Sequence, residues 1–371
     1  MDAGQHIEAT QEAVESSAAS SPRAAAAAWL GVLFCLVFTL NTVGGWVRLS
    51  GSGVAIPHWP VIEMERGSTL LPPFDSAGWQ EMHQIFLAHQ VKLHARIEAG
   101  ELTAANLGRQ PRDLAEFRSM FLTEWSHRLL AAITGLVALA VIVTTMRHRE
   151  LRRRAGWPMA LAGGLIVFQA VLGGMLVEQG TNTHWLFLHQ GNAGLIMASI
   201  LWAILRLLSS QQRSISGRST LGIFTLAAAG AVWLQLVFGA LVAGSRPHAV
   251  GEPHLWQPAR DLAWNLLDNG WLHLSLHRWW AWTLTAILVA TYLVAMRTPT
   301  GLRQRLALQV SGTFLALQLV FGFASAAVGA VPALALGHQA LGMCLLLSVV
   351  LAWHDCRYEE TSVPVAEGVA A

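Results

Sequence analysis

Long apolar stretches, separated by shorter polar segments, follow one another along most of this chain. Eight of them approach or exceed the roughly 20 residues that a helix needs to cross a bilayer. The predicted transmembrane helices cover residues 24–47, 120–146, 158–178, 184–208, 220–243, 272–296, 305–330 and 332–354. Pro332 provides the only sharp break between the last two. The pattern predicts an all-α polytopic membrane protein with eight transmembrane helices.

Arginines cluster in three of the segments that connect the apolar stretches, around residues 147–154, 206–218 and 297–305. The positive-inside rule places these clusters and both chain termini in the cytoplasm. The predicted organisation is a disordered cytoplasmic tail at 1–23, a first four-helix half at 24–208 with a long outer loop at 48–119, a cytoplasmic linker at 209–219, a second four-helix half at 220–354 and a cytoplasmic tail at 355–371.

The composition excludes several classes of function. The chain is 54% hydrophobic and 12% charged, and its formal net charge of +2 is too small to indicate a nucleic-acid partner. The cysteines Cys35, Cys344 and Cys356 show neither metal-site nor disulfide spacing. The acidic residues near the N-terminus do not fit a mitochondrial transit peptide.

Four histidines occupy matching places in four of the apolar stretches: His127, His189, His277 and His338. His127 and His277 are 150 residues apart, and His189 and His338 are 149 residues apart. The predicted topology puts all four near the outer ends of even-numbered helices. The repeat therefore predicts two pseudo-symmetric four-helix bundles, each with one histidine pair.

The odd-numbered helices carry a second repeated motif, an amide side chain four residues before a glycine. The pairs are Asn41 and Gly45, Gln169 and Gly173, Gln235 and Gly239, and Gln318 and Gly322. Glycine allows a neighbouring helix or a flat macrocycle to approach the backbone closely. For any single glycine, ordinary packing of small residues between helices is the favoured explanation.

An ionisable side chain inside a membrane is costly and is a functional-site hypothesis by default. A single histidine is also explained by a local packing hydrogen bond, but four at one depth favour ligands. Two imidazoles on opposite sides of a tetrapyrrole are a common haem ligation. A zinc site needs three or four protein ligands, whereas each half offers two at this depth.

The two halves differ at one position beside the histidines. Glu124 lies one helical turn before His127, whereas the repeat places Leu274 at the matching position before His277. A carboxylate near a reacting porphyrin can accept protons or stabilise positive charge. The alternative is a solvated Glu124 at the membrane interface. Arg128 can pair with a haem propionate, or extend to the lipid headgroups.

The outer loop at 48–119 is longer than a simple connection requires, which favours a functional role. Within it, residues 79–97 have the pattern of an amphipathic helix lying on the membrane. We predict that this helix covers the first-half site and restricts the access of water.

The chain resembles the haem A synthase family, in its mitochondrial and proteobacterial branch, from about residue 30 to residue 355. The shared elements are Gly-Gly-x-x-Arg-Leu-x-x-Ser-Gly over 44–53, Trp59-Pro60, Pro72-Pro73, Glu124-x-x-His127-Arg128, His189-Gln190, His277-Arg278 and His338-Gln339. A cysteine pair that some bacterial members carry in an outer loop is missing from this sequence.

The resemblance implies oxidation of the C8 methyl group of haem O to a formyl group, by two hydroxylations and loss of water. His127 and His189, with Arg128, are then expected to hold haem O, and His277 and His338 the iron of a haem B cofactor. Glu124 matches the family's catalytic glutamate. The implied partners are haem O and haem A, a haem O synthase, terminal oxidase assembly factors, an unidentified electron donor and membrane lipid. The implied location is the bacterial inner membrane.

Two other functions remain open at this point. A two-haem cytochrome b would pass electrons through two equivalent haems, and the difference between Glu124 and Leu274 disfavours it. A haem carrier or channel needs polar groups through the whole membrane, and the cytoplasmic halves of the helices read as almost purely aliphatic.

Overall fold

The computed structural model describes residues 22–65, 67–101, 107, 109–180, 183–209, 212–214, 219–245, 270–329 and 331–360. Eight helices in these segments are long and apolar enough to span a membrane, which confirms the predicted fold class. They are α1 (Pro22–Leu49), α3 (Leu114–Arg147), α4 (Arg149–Glu178), α5 (Thr183–Leu208), α6 (Thr220–Ser245), α7 (Gly270–Met296), α8 (Leu302–Val328) and α9 (Pro332–Arg357).

The long outer loop contains a hairpin and a helix. Strands β1 (Ile62–Met64) and β2 (Gly67–Thr69) pair antiparallel, with Ile62 opposite Thr69. The amphipathic helix predicted at 79–97 is present as α2 (Ser76–Glu98). It begins at Asp75, whose carboxylate accepts a hydrogen bond from the Gly78 amide at 2.7 Å.

Helix α3 begins six residues earlier than predicted. Asp113 caps it by accepting a hydrogen bond from the Glu116 amide at 2.8 Å. Its extra turns carry Phe117 and Phe121, both fully buried against α2. Trp79 of α2 meets Phe121 edge-on, with ring centroids 5.2 Å apart. The outer loop therefore ends at Asp113, because these first turns pack against α2.

Helix α4 begins at Arg149 and not at Pro158, where the apolar stretch suggested its start. Proline has no amide hydrogen and leaves the carbonyl four residues earlier without its helical partner. That carbonyl belongs to Arg154, and Arg206 of α5 donates to it through Nε at 2.6 Å. The helix continues through the proline because a neighbouring helix supplies the missing donor.

The two ends of the chain also depart from the predicted boundaries. Helix α1 includes residues 22 and 23, which were assigned to the first tail, and the rest of that tail lies outside the described residues. Helix α9 continues to Arg357. Strand β4 (Tyr358–Glu360) follows it and pairs antiparallel with β3 (Gln212–Ser214) in the predicted linker. Much of the loop at 244–271 also lies outside the described residues.

Helices α1, α3, α4 and α5 contact one another in a ring, and α6, α7, α8 and α9 form a matching ring. The rings meet where α1, α5, α6 and α9 pack together. Between them, Trp233 donates to the Gly191 carbonyl at 2.8 Å, and Gln339 donates to the Asn41 carbonyl at 2.9 Å.

The apolar core lies toward the predicted cytoplasmic ends of the helices. Its fully buried side chains include Leu30 and Leu33 of α1, Met159 of α4, Met197 of α5 and Met343 of α9. The four histidines lie nearer the opposite ends of their helices. Close side-chain packing is thus concentrated at one side of the protein, and the four histidines lie outside the closely packed core.

The prediction that the cytoplasmic halves are almost purely aliphatic was wrong for the second ring. Ser311 and Ser348 are buried and hydrogen-bonded at 2.9 Å. Gln304 of α8 and Thr225 of α6 both donate to the thiol of Cys356. These groups satisfy one another across the helices, as polar residues in membrane bundles commonly do.

Candidate functional sites

Each of the four histidine rings lies against a glycine of the neighbouring transmembrane helix, which is α1, α4, α6 or α8. A methyl group at Gly173 would lie 3.6 Å from Cε1 of His189, and one at Gly322 would lie 3.5 Å from Cε1 of His338. The matching distances are 3.2 Å from Gly239 to Cε1 of His277 and 3.1 Å from Gly44 to Nε2 of His127. A side chain larger than a methyl group at any of these glycines would displace an imidazole, and at Gly44 and Gly239 a methyl group is already closer than ordinary contact.

The second-half pair is arranged as two ligands of one iron would be. The rings of His277 and His338 have centroids 6.1 Å apart and an interplanar angle of 77°. Imidazoles that ligate one metal from opposite sides place their ring centroids about 6 Å apart, because each metal–nitrogen bond is about 2 Å long. The fold therefore brings together residues that the sequence separates by 61 positions.

Three of the four repeated amides bind a histidine backbone on the adjacent helix. Gln169 donates to the His189 carbonyl at 3.1 Å, Gln235 to the His277 carbonyl at 3.1 Å and Gln318 to the His338 carbonyl at 2.6 Å. We call each of these contacts an amide clamp. The Gln235 amide also lies 3.1 Å from Nδ1 of His277. The sequence indicated the motif, and the structure shows its contacts: the amide holds the histidine backbone and the glycine makes room for the imidazole ring.

Helix α1 does not follow the register that its sequence suggested. The glycine beside His127 is Gly44, not Gly45. A methyl group at Gly45 would instead lie 2.5 Å from Oε1 of Gln339 in the other ring. Asn41 and Gly45 therefore share the spacing of the other three pairs but not their contact with a histidine, because Gly45 serves the packing between the two rings.

Glu124 is buried, with a relative exposure of 3%, and the alternative of a solvated interfacial carboxylate was wrong. Its Oε2 accepts a hydrogen bond from the Ile56 amide at 2.9 Å. Its Oε1 accepts two from Arg128, at 3.1 Å from Nε and 2.5 Å from Nη2. The carboxylate is therefore held under the outer loop by the loop backbone and one guanidinium.

Arg128 uses most of its hydrogen-bonding capacity within the protein. Besides Glu124, its Nη2 donates to the Ile56 carbonyl at 2.7 Å and its Nη1 to the His58 carbonyl at 2.5 Å. Of the five N–H groups of a guanidinium, one on Nη1 has no acceptor among the described residues. Arg128 thus joins the outer loop to α3, and its contact with a haem propionate stays a prediction limited to that one donor.

The second half lacks this assembly. Leu274, at the position of Glu124, is buried with a relative exposure of 6%. Arg278, at the position of Arg128, is exposed and has no hydrogen-bond partner among the described residues. The difference seen in the sequence between the two halves is therefore a difference between a buried ion pair under a loop and an apolar contact.

The outer loop reaches the first-half site through Trp59. A methyl group at Gly174 would lie 3.0 Å from Cε3 of the Trp59 indole, and Gly174 adjoins the glycine that faces His189. In the sequence, Trp59 is recognisable only as part of the Trp59-Pro60 element of the family resemblance. Its contact with α4 depends on the course of the loop. Gly173-Gly174 was the signal in the sequence, since two adjacent glycines admit two neighbours on adjoining helix faces.

Helix α2 covers α3 beside this loop. Burial, with further contributions from nearby His58, Lys92 and Arg96, holds the pKa of His89 below its usual range. His89 is therefore neutral at pH 7, so it adds no positive charge to the cover beside the first-half site. Whether α2 lies on the membrane surface stays a prediction.

The donor sets fit haem better than an isolated metal ion. No group of three or more His, Cys, Asp or Glu side chains arranged to hold a metal ion occurs among the described residues. The Nδ1 atoms of His189 and His338 are buried without hydrogen-bond partners in the same part of the chain. Paired imidazoles beside glycines would leave space for a flat macrocycle, and each pair would supply the ligands that the iron of a bound haem takes.

The glycine beside His277 provides a test of this arrangement. Gly239→Val is expected to displace the imidazole and to lower haem affinity of the second half by roughly 10–100-fold, as disturbed support of a metal ligand commonly does. Gly230→Val in the same helix is the matched control, because a methyl group there meets nothing within 4 Å. Haem content of the two purified variants measures the difference, and equal content would contradict the assignment.

Comparisons with known proteins agree with the resemblance seen in the sequence. The family model described as Cytochrome oxidase assembly protein (COX15-CtaA) matches residues 27–350. A protein of Paracoccus denitrificans named Heme A synthase is 30% identical over 368 residues, covering 92% of this chain and 90% of its own length. One of the same name from Rhizorhabdus wittichii is 31% identical over 360 residues, covering 91% of this chain and 96% of its own.

Proposed function

The chain belongs to the cytochrome oxidase assembly protein family COX15-CtaA, and from this membership we propose that it is a haem A synthase, an enzyme that converts haem O to haem A. The observation that carries the proposal is the pair of histidine sites in one membrane bundle, of which only one adjoins a buried carboxylate. Oxidation of a substituent on a bound haem requires one site for a reacting haem, and a second site can serve a permanent one.

We propose that His127 and His189 bind the substrate haem O, and that His277 and His338 bind a resident haem B. The outer loop binds Glu124 and Arg128 beside His127, and α2 packs on the first turns of α3, which supports the proposal that they cover this site and restrict water. The second pair lies beside Gln235, which contacts both the ring and the backbone of His277. A more firmly held ligand suits a cofactor that stays bound.

The proposed reaction is oxidation of the C8 methyl group by two successive hydroxylations, after which loss of water leaves the formyl group. A bound haem iron would supply the redox chemistry with O2 as the oxidant. Each hydroxylation by O2 inserts one oxygen atom, releases the other as water and takes two electrons from a donor that is still unidentified. Glu124 is placed to hold or accept a proton near this haem. Arg128 and the Ile56 amide fix the orientation of its carboxylate, so these two groups position the acid and need not touch the substrate.

The remaining partners and the location are also proposals. A haem O synthase would supply the substrate, and terminal oxidase assembly factors would receive haem A. Eight apolar helices support a multi-pass membrane protein. The bacterial relatives support the inner membrane, and the arginine clusters favour an orientation with both termini in the cytoplasm.

A two-haem cytochrome b is the second candidate function. The repeated glycines beside all four histidines favour it, because they make the two sites similar. The Glu124–Arg128 pair argues against it, since two haems that only pass electrons do not need a buried carboxylate at one of them.

Membranes containing the protein, supplied with haem O, test the two functions. Haems are extracted and separated, and the synthase is expected to produce haem A together with some hydroxymethyl intermediate. His189→Ala serves as the control, because it removes a ligand of the proposed substrate site. Absence of both oxidised haems, with haem bound in both halves, would support the cytochrome instead.

A further inference from the structure

Only one of the four histidines lacks an amide clamp. His189, His277 and His338 each accept a hydrogen bond from a glutamine of the adjacent helix through the backbone carbonyl. No side chain among the described residues donates to the carbonyl of His127. The backbone that carries His127 is therefore not tied to α1, whereas the backbones of the other three histidines are tied to α4, α6 and α8.

The cause is the register of α1. In α4, α6 and α8 the clamp glutamine lies four residues before the glycine that faces the histidine. Because Gly44 faces His127, the clamp position in α1 is Leu40, which has no donor. The amide next to it, Asn41, has a buried Nδ2 atom without a hydrogen-bond partner in the described part of the chain.

The ring of His127 is also oriented differently. It presents Nε2 to its glycine, whereas the other three rings present Cε1. The residues around it bind the outer loop instead of α1, through Glu124 to Ile56 and through Arg128 to Ile56 and His58. This part of α3 is therefore coupled to a loop rather than clamped to a helix.

We propose that His127 is the exchangeable ligand of the first site, and that Leu40 is a positioning residue that keeps it exchangeable. The inference rests on the proposed function, in which the first half binds a haem that enters, reacts and leaves. A substrate haem must be released after oxidation, and its iron needs a free position to react with an external molecule. His189, with its amide clamp, stays in place while His127 detaches and rebinds.

The same reasoning explains why the second half has two clamps. A resident haem gains nothing from a ligand that detaches, so both His277 and His338 are held. The number of clamps follows the proposed roles: one in the substrate half, on the ligand that remains, and two in the cofactor half.

Carbon monoxide binding to the reduced, haem-loaded protein tests the inference independently of turnover. The protein is loaded with haem O in the first half, and CO binding is followed by absorption spectroscopy. We expect wild-type protein to bind CO at one of its two haems. Leu40→Gln is expected to add a clamp and to slow CO binding at this haem at least tenfold, and Leu40→Met, of similar size but without a donor, is expected to bind CO at the wild-type rate.

A second variant covers the case in which Leu40→Gln folds poorly. Gln318→Met removes the clamp on His338 and is expected to make the second haem reactive toward CO. Because weaker support of His338 also lowers haem affinity, CO rates are compared per bound haem. CO binding to both haems of the wild type, or equal rates in Leu40→Gln and Leu40→Met at equal haem content, would overturn the inference. Failure of the proposed function has a different signature: no oxidised haem is formed, whatever the CO rates.

Discussion

Glu124→Gln is expected to lower haem A formation by about 100-fold or more, the range in which loss of a general acid–base group falls. Glutamine has the shape of glutamate and can still accept a hydrogen bond from Arg128, but it cannot hold or accept the proton. Both haems are expected to remain bound, because none of the four ligands is changed. Haem extraction after incubation with haem O measures the product, and absorption spectra of the purified protein measure haem content.

If Glu124 only stabilised the fold, activity would return whenever stability is restored without its carboxylate. Arg128→Met leaves the carboxylate buried without its cation, which typically costs about 3–5 kcal/mol of stability. The double variant Glu124→Leu with Arg128→Met gives the first half the leucine that the second half has at Leu274, and it removes both charges together. We expect this double variant to regain much of the lost stability but no activity. Recovery of haem A formation in it would show that Glu124 acts only by holding the outer loop.

His338→Ala is expected to abolish binding of the resident haem, while His189→Ala leaves it in place. Loss of an axial ligand should exceed the roughly 10–100-fold loss of metal affinity that follows weakened support of a ligand. Protein purified from cells without haem O isolates the resident cofactor. One haem B per chain is expected in the wild type and in His189→Ala, and less than about a tenth of that in His338→Ala.

The comparison of His338→Ala with His189→Ala also tests which half is which. Each variant removes one imidazole beside a glycine and leaves that half with one ligand, so the two are closely matched in damage to the fold. Loss of haem B from His189→Ala with retention in His338→Ala would reverse the assignment of the halves. Equal retention in both would contradict the existence of a histidine-bound resident haem.

Much of the candidate site could be predicted from the sequence. The four histidines and their repeat offset were visible because ionisable residues inside long apolar stretches are rare and easy to recognise. The pairing of Glu124 with Arg128 was within reach too, since residues four apart lie on one face of a helix. The burial of this pair could not be predicted, because the groups that bind it, at Ile56 and His58, come from a loop about 70 residues earlier in the chain.

The helix boundaries were also predicted only in part from the sequence. Apolar length predicted the membrane-spanning part of α3 but not its first turns, which are stabilised by the Asp113 cap and by contacts of Phe117 and Phe121 with α2. Likewise, Pro158 indicated a start for α4 that a donor from another helix makes unnecessary. In both cases the deciding contact joins segments that are distant in the sequence.

By itself, the sequence determined that this is an eight-helix membrane protein with four histidines in a repeat, because apolar length and residue type are properties of each segment alone. Only the tertiary structure decided that Gly44 and not Gly45 faces His127, and that Leu40 therefore stands where a clamp glutamine stands elsewhere. Adjacent residues of a helix point about 100° apart, so the rotation of α1 about its own axis, set by its packing against Gln339, decides which of them faces the site.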